Sequence, residues 1–167
     1  MVDCLFMFND IDYPQKEVLT MPTIITEGRL CILAAMEETY LPLHTRYMND
    51  PDVNRFIFST PPFTVDQQRD WFNARRAAGD HHFAILVPKK TKGDMRYIFI
   101  GVMDFREIDL NKLTAFTGSV IGDKRYWERG IAREARLMQL KIAFDSLGLK
   151  QIYSKTILPN IRSQRLL

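Results

Sequence analysis

Ile121-Gly122-Asp123-Lys124-Arg125-Tyr126-Trp127-Glu128-Arg129-Gly130-Ile131-Ala132-Arg133-Glu134-Ala135 is the stretch where a strand-like pattern gives way, over a glycine, to a long helical one. A helix start leaves about four backbone N–H groups without intrahelical acceptors and carries the positive end of the helix dipole. Gly130 and Ala132 keep bulk away from that turn, so a phosphate could reach the amides directly. Lys124, Arg125, Arg129 and Arg133 surround it with positive charge. Two readings stand side by side: a seat for a phosphate-bearing ligand, or a solvated helix start with surface arginines. The stretch is neither a P-loop, since no Gly-x-x-x-x-Gly-Lys precedes the helix, nor the Gly-x-Gly-x-x-Gly of dinucleotide folds.

Working outward, the helix after Gly130 runs to about Leu147, with Ile131, Ala135, Met138 and Ile142 at helical spacing as its core face and Gly148 as its stop. Residues 151–157 form a last strand, and Pro159-Asn160 opens a helix of under two turns at the chain end. Upstream, residues 82–87, 95–106 and 113–121 read as three strands joined by short polar connections, hence antiparallel hairpins. Thr64 with Gln67 forms a capping box for a helix reaching about Ala78, closed by Gly79. Pro42 suits the first turn of an earlier helix, which Asn49-Asp50-Pro51 ends. Residues 28–36 alternate as a first strand with one well-buried face. The order predicts an α+β domain with a mixed, mostly antiparallel sheet flanked by helices, in which the strand-helix-strand unit near the end could pair parallel.

Composition narrows the function classes. The chain has 167 residues, 46% apolar and 26% charged, enough for one domain with a core that needs no disulfide or metal. The two cysteines, Cys4 and Cys31, show no metal-ligand or disulfide spacing, and a reducing, cytoplasmic setting is the expectation. A net charge of +3 without a basic block argues against a nucleic-acid partner. Apolar runs such as 97–103 fall far short of the roughly 18 residues of a membrane span. Residues 1–25 read as an N-terminal extension, with Met21 an alternative start, and 26–167 as the domain. His81-His82 point to opposite strand faces and suggest no metal site.

The segment Tyr126-Trp127-Glu128-Arg129-Gly130-Ile131-Ala132-Arg133 resembles the pyrophosphate loop, Gln/Arg-x-x-Gly-x-Gly/Ala, of the GCN5-related N-acetyltransferase (GNAT) superfamily, in particular its ribosomal-protein N-terminal and spermidine acetyltransferase branch. Arg29-Leu30 and the following strand, residues 114–121, and Pro159-Asn160-Ile161-Arg162-Ser163 resemble further family segments in the same order. The resemblance covers about 26–167. It implies acetyl-CoA as cosubstrate, no metal, and transfer to a primary amine of a small molecule or a protein N-terminus, in a ternary complex. It further implies that the pantetheine arm lies along Ser119, Val120 and Ile121, that backbone amides of Arg129, Gly130, Ile131, Ala132 and Arg133 hold the pyrophosphate, that Asn160 bonds the cofactor arm, and that Ser163 protonates the leaving thiolate.

The sequence also departs from the pattern. Phe116 stands where many relatives carry a glutamate that helps deprotonate the amine; Asp104 and Glu107 are nearby carboxylates, and a water chain is another route. The place of a tyrosine acid found in other relatives falls at Leu167. Trp127 replaces the commoner Gln or Arg, with packing as its expected job. The last strands of full-length relatives are missing, which suggests a fragment or completion by another chain, such as a homodimer. Residues 56–63 could line an acceptor pocket. The alternative function is a catalytically silent CoA-binding or interaction module.

Overall fold

The computed structural model describes residues 21–57 and 59–166. Residues 1–20, with Cys4 and most of the extension expected over 1–25, lie outside the described residues, as do Phe58 and Leu167. Where one first strand is expected there are two: β1 (Ile24–Glu27) and β2 (Ile32–Ala35) pair as an antiparallel hairpin. The break between them has a physical cause. The N–H groups of Arg29, Leu30 and Cys31 donate to the Glu134 carboxylate at 2.9, 2.6 and 3.0 Å, and a Cβ on Gly28 would fall 2.7 Å from that carboxyl group.

Helices α1 (Leu41–Met48), α2 (Pro51–Asn54) and α3 (Val65–Ala77) follow. The predicted capping box opens α3: Gln67 N–H donates to Thr64 Oγ1, and Thr64 N–H to Gln67 Oε1. Asn49-Asp50-Pro51 predicts only a break, yet α2 starts at Pro51, because Asp50 accepts from Asp52 N–H and proline is tolerated in a first turn. Strands β3 (His81–Lys90), β4 (Met95–Asp109) and β5 (Thr114–Ile121) run antiparallel as expected. Helix α4 (Ile131–Lys141), extended by a π-turn over Ile142–Ser146, crosses to β6 (Gln151–Ser154), which pairs parallel with β5; α5 (Ile161–Gln164) comes last. The strand order β1-β2-β3-β4-β5-β6 gives the expected α+β fold with a mostly antiparallel sheet.

Both faces of the sheet are buried, rather than the one that alternation over 28–36 predicts. Cys31, Leu33, Phe83, Ile85, Met103 and Phe105 pack with Ile131, Ala135 and Ala143 of the α4 side. Ile32, Ala34, Ala84, Leu86 and Phe99 pack with Tyr40, Leu41 and Phe72 of the α1/α3 side. The inward side of α4 also differs from the expected stripe: Arg136 and Gln139 are buried beside Ile131 and Ala135, while Met138 is only partly so. They are paired there. Arg136 Nη1 donates to Thr117 Oγ1 at 3.0 Å and to Gln139 Oε1 at 2.7 Å, and Gln139 Nε2 and Thr117 Oγ1 both donate to Asp104 O, at 2.7 and 2.8 Å. Burial lowers the Arg136 pKa from the usual guanidinium range, and Asp104 opposes that shift.

Two tests follow from this packing. Glu134→Ala removes three charge-assisted bonds that hold the hairpin to α4, and urea titration should register a loss of about 1–3 kcal/mol. Stability should also decline with acid. Burial, with a smaller contribution from His82, holds the His44 pKa down at about 4, against 6.5 for a free imidazole. Burial opposes the charge on Glu134, but the N–H donors of Leu30, Arg29 and Cys31 outweigh it and lower its pKa. Both folded values lie below the unfolded ones, so the unfolded chain binds more protons as the pH falls. The urea midpoint should hold above about pH 6.5 and drop toward pH 4, and His44→Leu should flatten part of that drop.

Candidate active site

Strands β5 and β6 pair over four rows, from Thr114↔Gln151 to Thr117↔Ser154. β5 then continues to Ile121 against β4, while β6 stops, so the sheet forks after Thr117. The carbonyls of Leu113, Thr117 and Ile121 accept from Lys150 N–H at 2.7 Å, Ser154 Oγ at 3.3 Å and Trp127 Nε1 at 2.7 Å. Their four-residue spacing puts them on one edge of β5, and the same period turns the N–H and C=O of Ser119 to that edge. On that edge no described strand lies beside Ser119, whose other side faces Met103 of β4. Trp127 therefore bonds strand to loop in addition to the packing expected of it, and its ring also lies 3.8 Å below the Arg162 guanidinium.

The chain reaches α4 through a tight turn. Gly122 is required at its start, since a Cβ there would fall 2.3 Å from the Tyr47 ring, which packs over the strand end. Glu128 and Gly130 both adopt positive φ, 58° and 78°, and Gly130 caps α4 with no side-chain bond, leaving the Ile131, Ala132 and Arg133 amides without helical acceptors. The charge around this turn is less than the sequence predicts. Lys124 pairs with Asp50 and Asp52 at 2.8 Å each, and Arg125 chelates Asp123 with bonds of 3.0 and 2.7 Å. Arg129 and Arg133 remain at the turn.

Ser119, Val120, Ile121, Arg129, Gly130, Ile131, Ala132, Arg133, Asn160 and Ser163 all line one cleft of about 580 Å³. Asn160 Oδ1 accepts from Ser163 N–H at 3.1 Å, so Asn160 caps α5 and fixes Ser163 in its first turn. Phe56 and Ile57 line the same cleft, and Asn49 ties the far end of their loop to α1 through both backbone groups of Phe63, at 2.8 and 2.7 Å. The sequence reading missed Asp52, Val53 and Arg165 in this lining; α2 is a single turn, too short to show periodicity.

On the α1/α3 face, Phe116 sits across from Arg106 and Tyr153, its ring 5.3 Å from that of Tyr153. Asp104 lies one row nearer the open end of the fork, opposite Gly118, whose N–H it accepts at 2.8 Å, and it also accepts from Arg106 Nε at 3.1 Å. Glu107 is exposed on a positive-φ bulge farther away. Cys31 is fully buried, and burial pushes its thiol up to about 12, so it stays un-ionised. Among the described residues no three His, Cys, Asp or Glu side chains cluster to hold a metal, and no helix is long and apolar enough to cross a membrane.

Comparison with known proteins agrees with this geometry. The family described as Acetyltransferase (GNAT) domain matches residues 29–167. The chain is 31% identical over 151 residues to Uncharacterized N-acetyltransferase p20 of Bacillus licheniformis, covering 88% of this chain and 80% of that protein. It shares its fold with spermidine N-acetyltransferase from Vibrio cholerae, solved in complex with CoA and spermine: TM-score 0.71, 20% identity, 83% of this chain and 78% of that one. A GNAT-family acetyltransferase from Bacillus anthracis superposes with TM-score 0.68 at 23% identity, covering 84% and 78%. With its forked sheet, its glycine-capped α4 and a family match over most of its length, the chain belongs to the GNAT acetyltransferases.

Proposed function

We propose that the chain transfers the acetyl group of acetyl-CoA to a primary amine by direct attack within a ternary complex. The observation that carries this reading is the unpaired edge of β5 at Ser119 opening into the same cleft as the free amides of α4. The extended pantetheine arm, with its two amides, suits a strand edge that offers one donor and one acceptor. The pyrophosphate suits the amides of residues 129–133, where Gly130 brings no Cβ and the helix dipole favours negative charge.

In this reading the neutral amine adds to the thioester carbonyl, a C–N bond forms, the C–S bond breaks and the amine loses a proton to solvent. Ser163 donates its hydroxyl proton to the departing thiolate and is reprotonated by water. Asn160 holds Ser163 in place and can turn its amide N–H toward the cofactor arm. Bringing both reactants to one fork can lower the barrier by several kcal/mol, toward the roughly 7–11 of ideal orientation. The acceptor is an amine on a small molecule or a protein N-terminus. Phe116, an aromatic ring where a carboxylate base would help, favours one other reading, a CoA-binding module without turnover.

Titration with acetyl-CoA tests the proposal. At a hundred times the dissociation constant the folded state should gain about 2.7 kcal/mol, a rise in thermal midpoint of roughly 5–10 °C for a domain of this size. Gly130→Val should lower stability by about 1–2 kcal/mol, because a branched residue is strained at that φ, and should abolish the shift. A shift that survives Gly130→Val would remove the loop assignment. Ser163→Ala should leave the shift intact and reduce kcat on the order of 10²-fold; unchanged kcat would exclude Ser163 as the acid. Binding with no amine turned over would select the silent module.

A further inference from the structure

On the α1/α3 face of the fork two cations, Arg106 and Lys155, flank Phe116. In the row where the strands last pair on this face, Phe116 lies between Arg106 of β4 and Tyr153 of β6. The Lys155 ammonium sits 4.8 Å from the centre of the Phe116 ring, and among the described residues it forms no ion pair. The next row is Gly118, which has no side chain of its own. The Arg106 guanidinium covers it, with Nη2 only 3.0 Å from where a Cβ would stand. Among the described residues Arg106 bonds through one nitrogen, Nε, to Asp104, which leaves its terminal N–H groups on offer at the fork. Asp104 itself already takes the Gly118 N–H as well. Of the other carboxylates nearby, Asp80 is 7% exposed and paired with Arg75, and Glu107 is exposed farther from the fork.

A polycationic acceptor would bring a second positive charge between Lys155 and Arg106, where the one carboxylate close by, Asp104, already takes the Arg106 Nε–H and the Gly118 N–H on its Oδ1. An acid group meets the opposite situation: two cations, one of them a guanidinium whose paired donors match a carboxylate. The Phe116–Tyr153 ring pair beneath them offers a half-exposed apolar surface. Resting on the acetyl-transfer reading above, we propose that the acceptor is an amino carboxylate, an α-amino acid with an apolar side chain, its acid group on Arg106 and Lys155 and its side chain on the Phe116–Tyr153 pair. The chemistry is the balanced transfer already described, with the N-acetylamino acid and CoA as products.

Steady-state acetylation of phenylalanine, leucine and methionine, each beside its carboxamide, with spermidine as the polycation, tests this. The amide differs from the acid in amine basicity, so the informative quantity is the acid-to-amide ratio of kcat/KM, compared between native chain and variant. Lys155→Gln and Arg106→Gln should each lower that ratio about tenfold or more, through a raised KM for the acid, because each removes a charge-assisted bond. Lys155 is exposed, so its variant keeps the test alive if Arg106→Gln fails to fold. Preference for spermidine, a ratio that neither variant moves, or no amino acid turned over by a chain that acetyl-CoA stabilises would each overturn the proposal and leave the cofactor assignment standing. No stabilisation by acetyl-CoA would instead remove the transfer reading, and this inference with it.

Discussion

The parallel pairing of β5 with β6 lasts four residues, and the rest of the site is arranged around where it stops. A parallel sheet would ordinarily continue until one strand ran out of apolar residues. Here β5 carries on for four more residues with its other edge held by β4, while one edge faces a cleft. The last paired row is pinned from below: Thr117, Arg136 and Gln139 form a buried polar network with the carbonyl of Asp104. Such groups are costly to bury unpaired, and although Arg136 Nε is left without a partner among the described residues, the bonds that are made favour a single arrangement of α4 against the fork.

Helix α4 consequently serves both ends of the domain. Its first turn faces the cleft with unpaired amides, and Glu134, one turn on, holds the β1–β2 hairpin through three backbone N–H groups. The same helix then reaches the fork through Arg136 and Gln139. A displacement of α4 would therefore disturb the hairpin, the fork and the glycine-capped turn together. The ion pairs of Lys124 and Arg125 have a related effect: they neutralise charge beside the turn and brace it, leaving Arg129, Arg133 and the backbone amides to face the cleft.

Much of this was legible in the sequence, and the limits have physical causes. Local signals carried well: the Thr64–Gln67 capping box, the hairpins between β3, β4 and β5, and the glycine that starts α4 all depend on residues within a few positions of one another. Ile121 and residues 126–133 come together in one cleft because strand, loop and helix follow each other directly there, while Asn160 and Ser163 reach it from α5. What the sequence hid depends on distant partners. Nothing local marks Glu134 as the ligand of the Arg29–Cys31 turn or Asp50 and Asp52 as the partners of Lys124. A polar pair at i and i+3 on an otherwise apolar helix face, Arg136 and Gln139, was the visible trace of the buried network.

The central claim is that the open edge of β5 receives the cofactor as an added strand. Amide hydrogen exchange, resolved by residue, with and without acetyl-CoA tests it most directly. The Ser119 amide should be fast in the free chain and strongly slowed when acetyl-CoA is bound, together with the amides of Ile131 to Arg133, while Ala115, already beside β6, should change little. Protection confined to other parts of the chain, with Ser119 still exchanging freely in a chain that binds acetyl-CoA, would contradict the account.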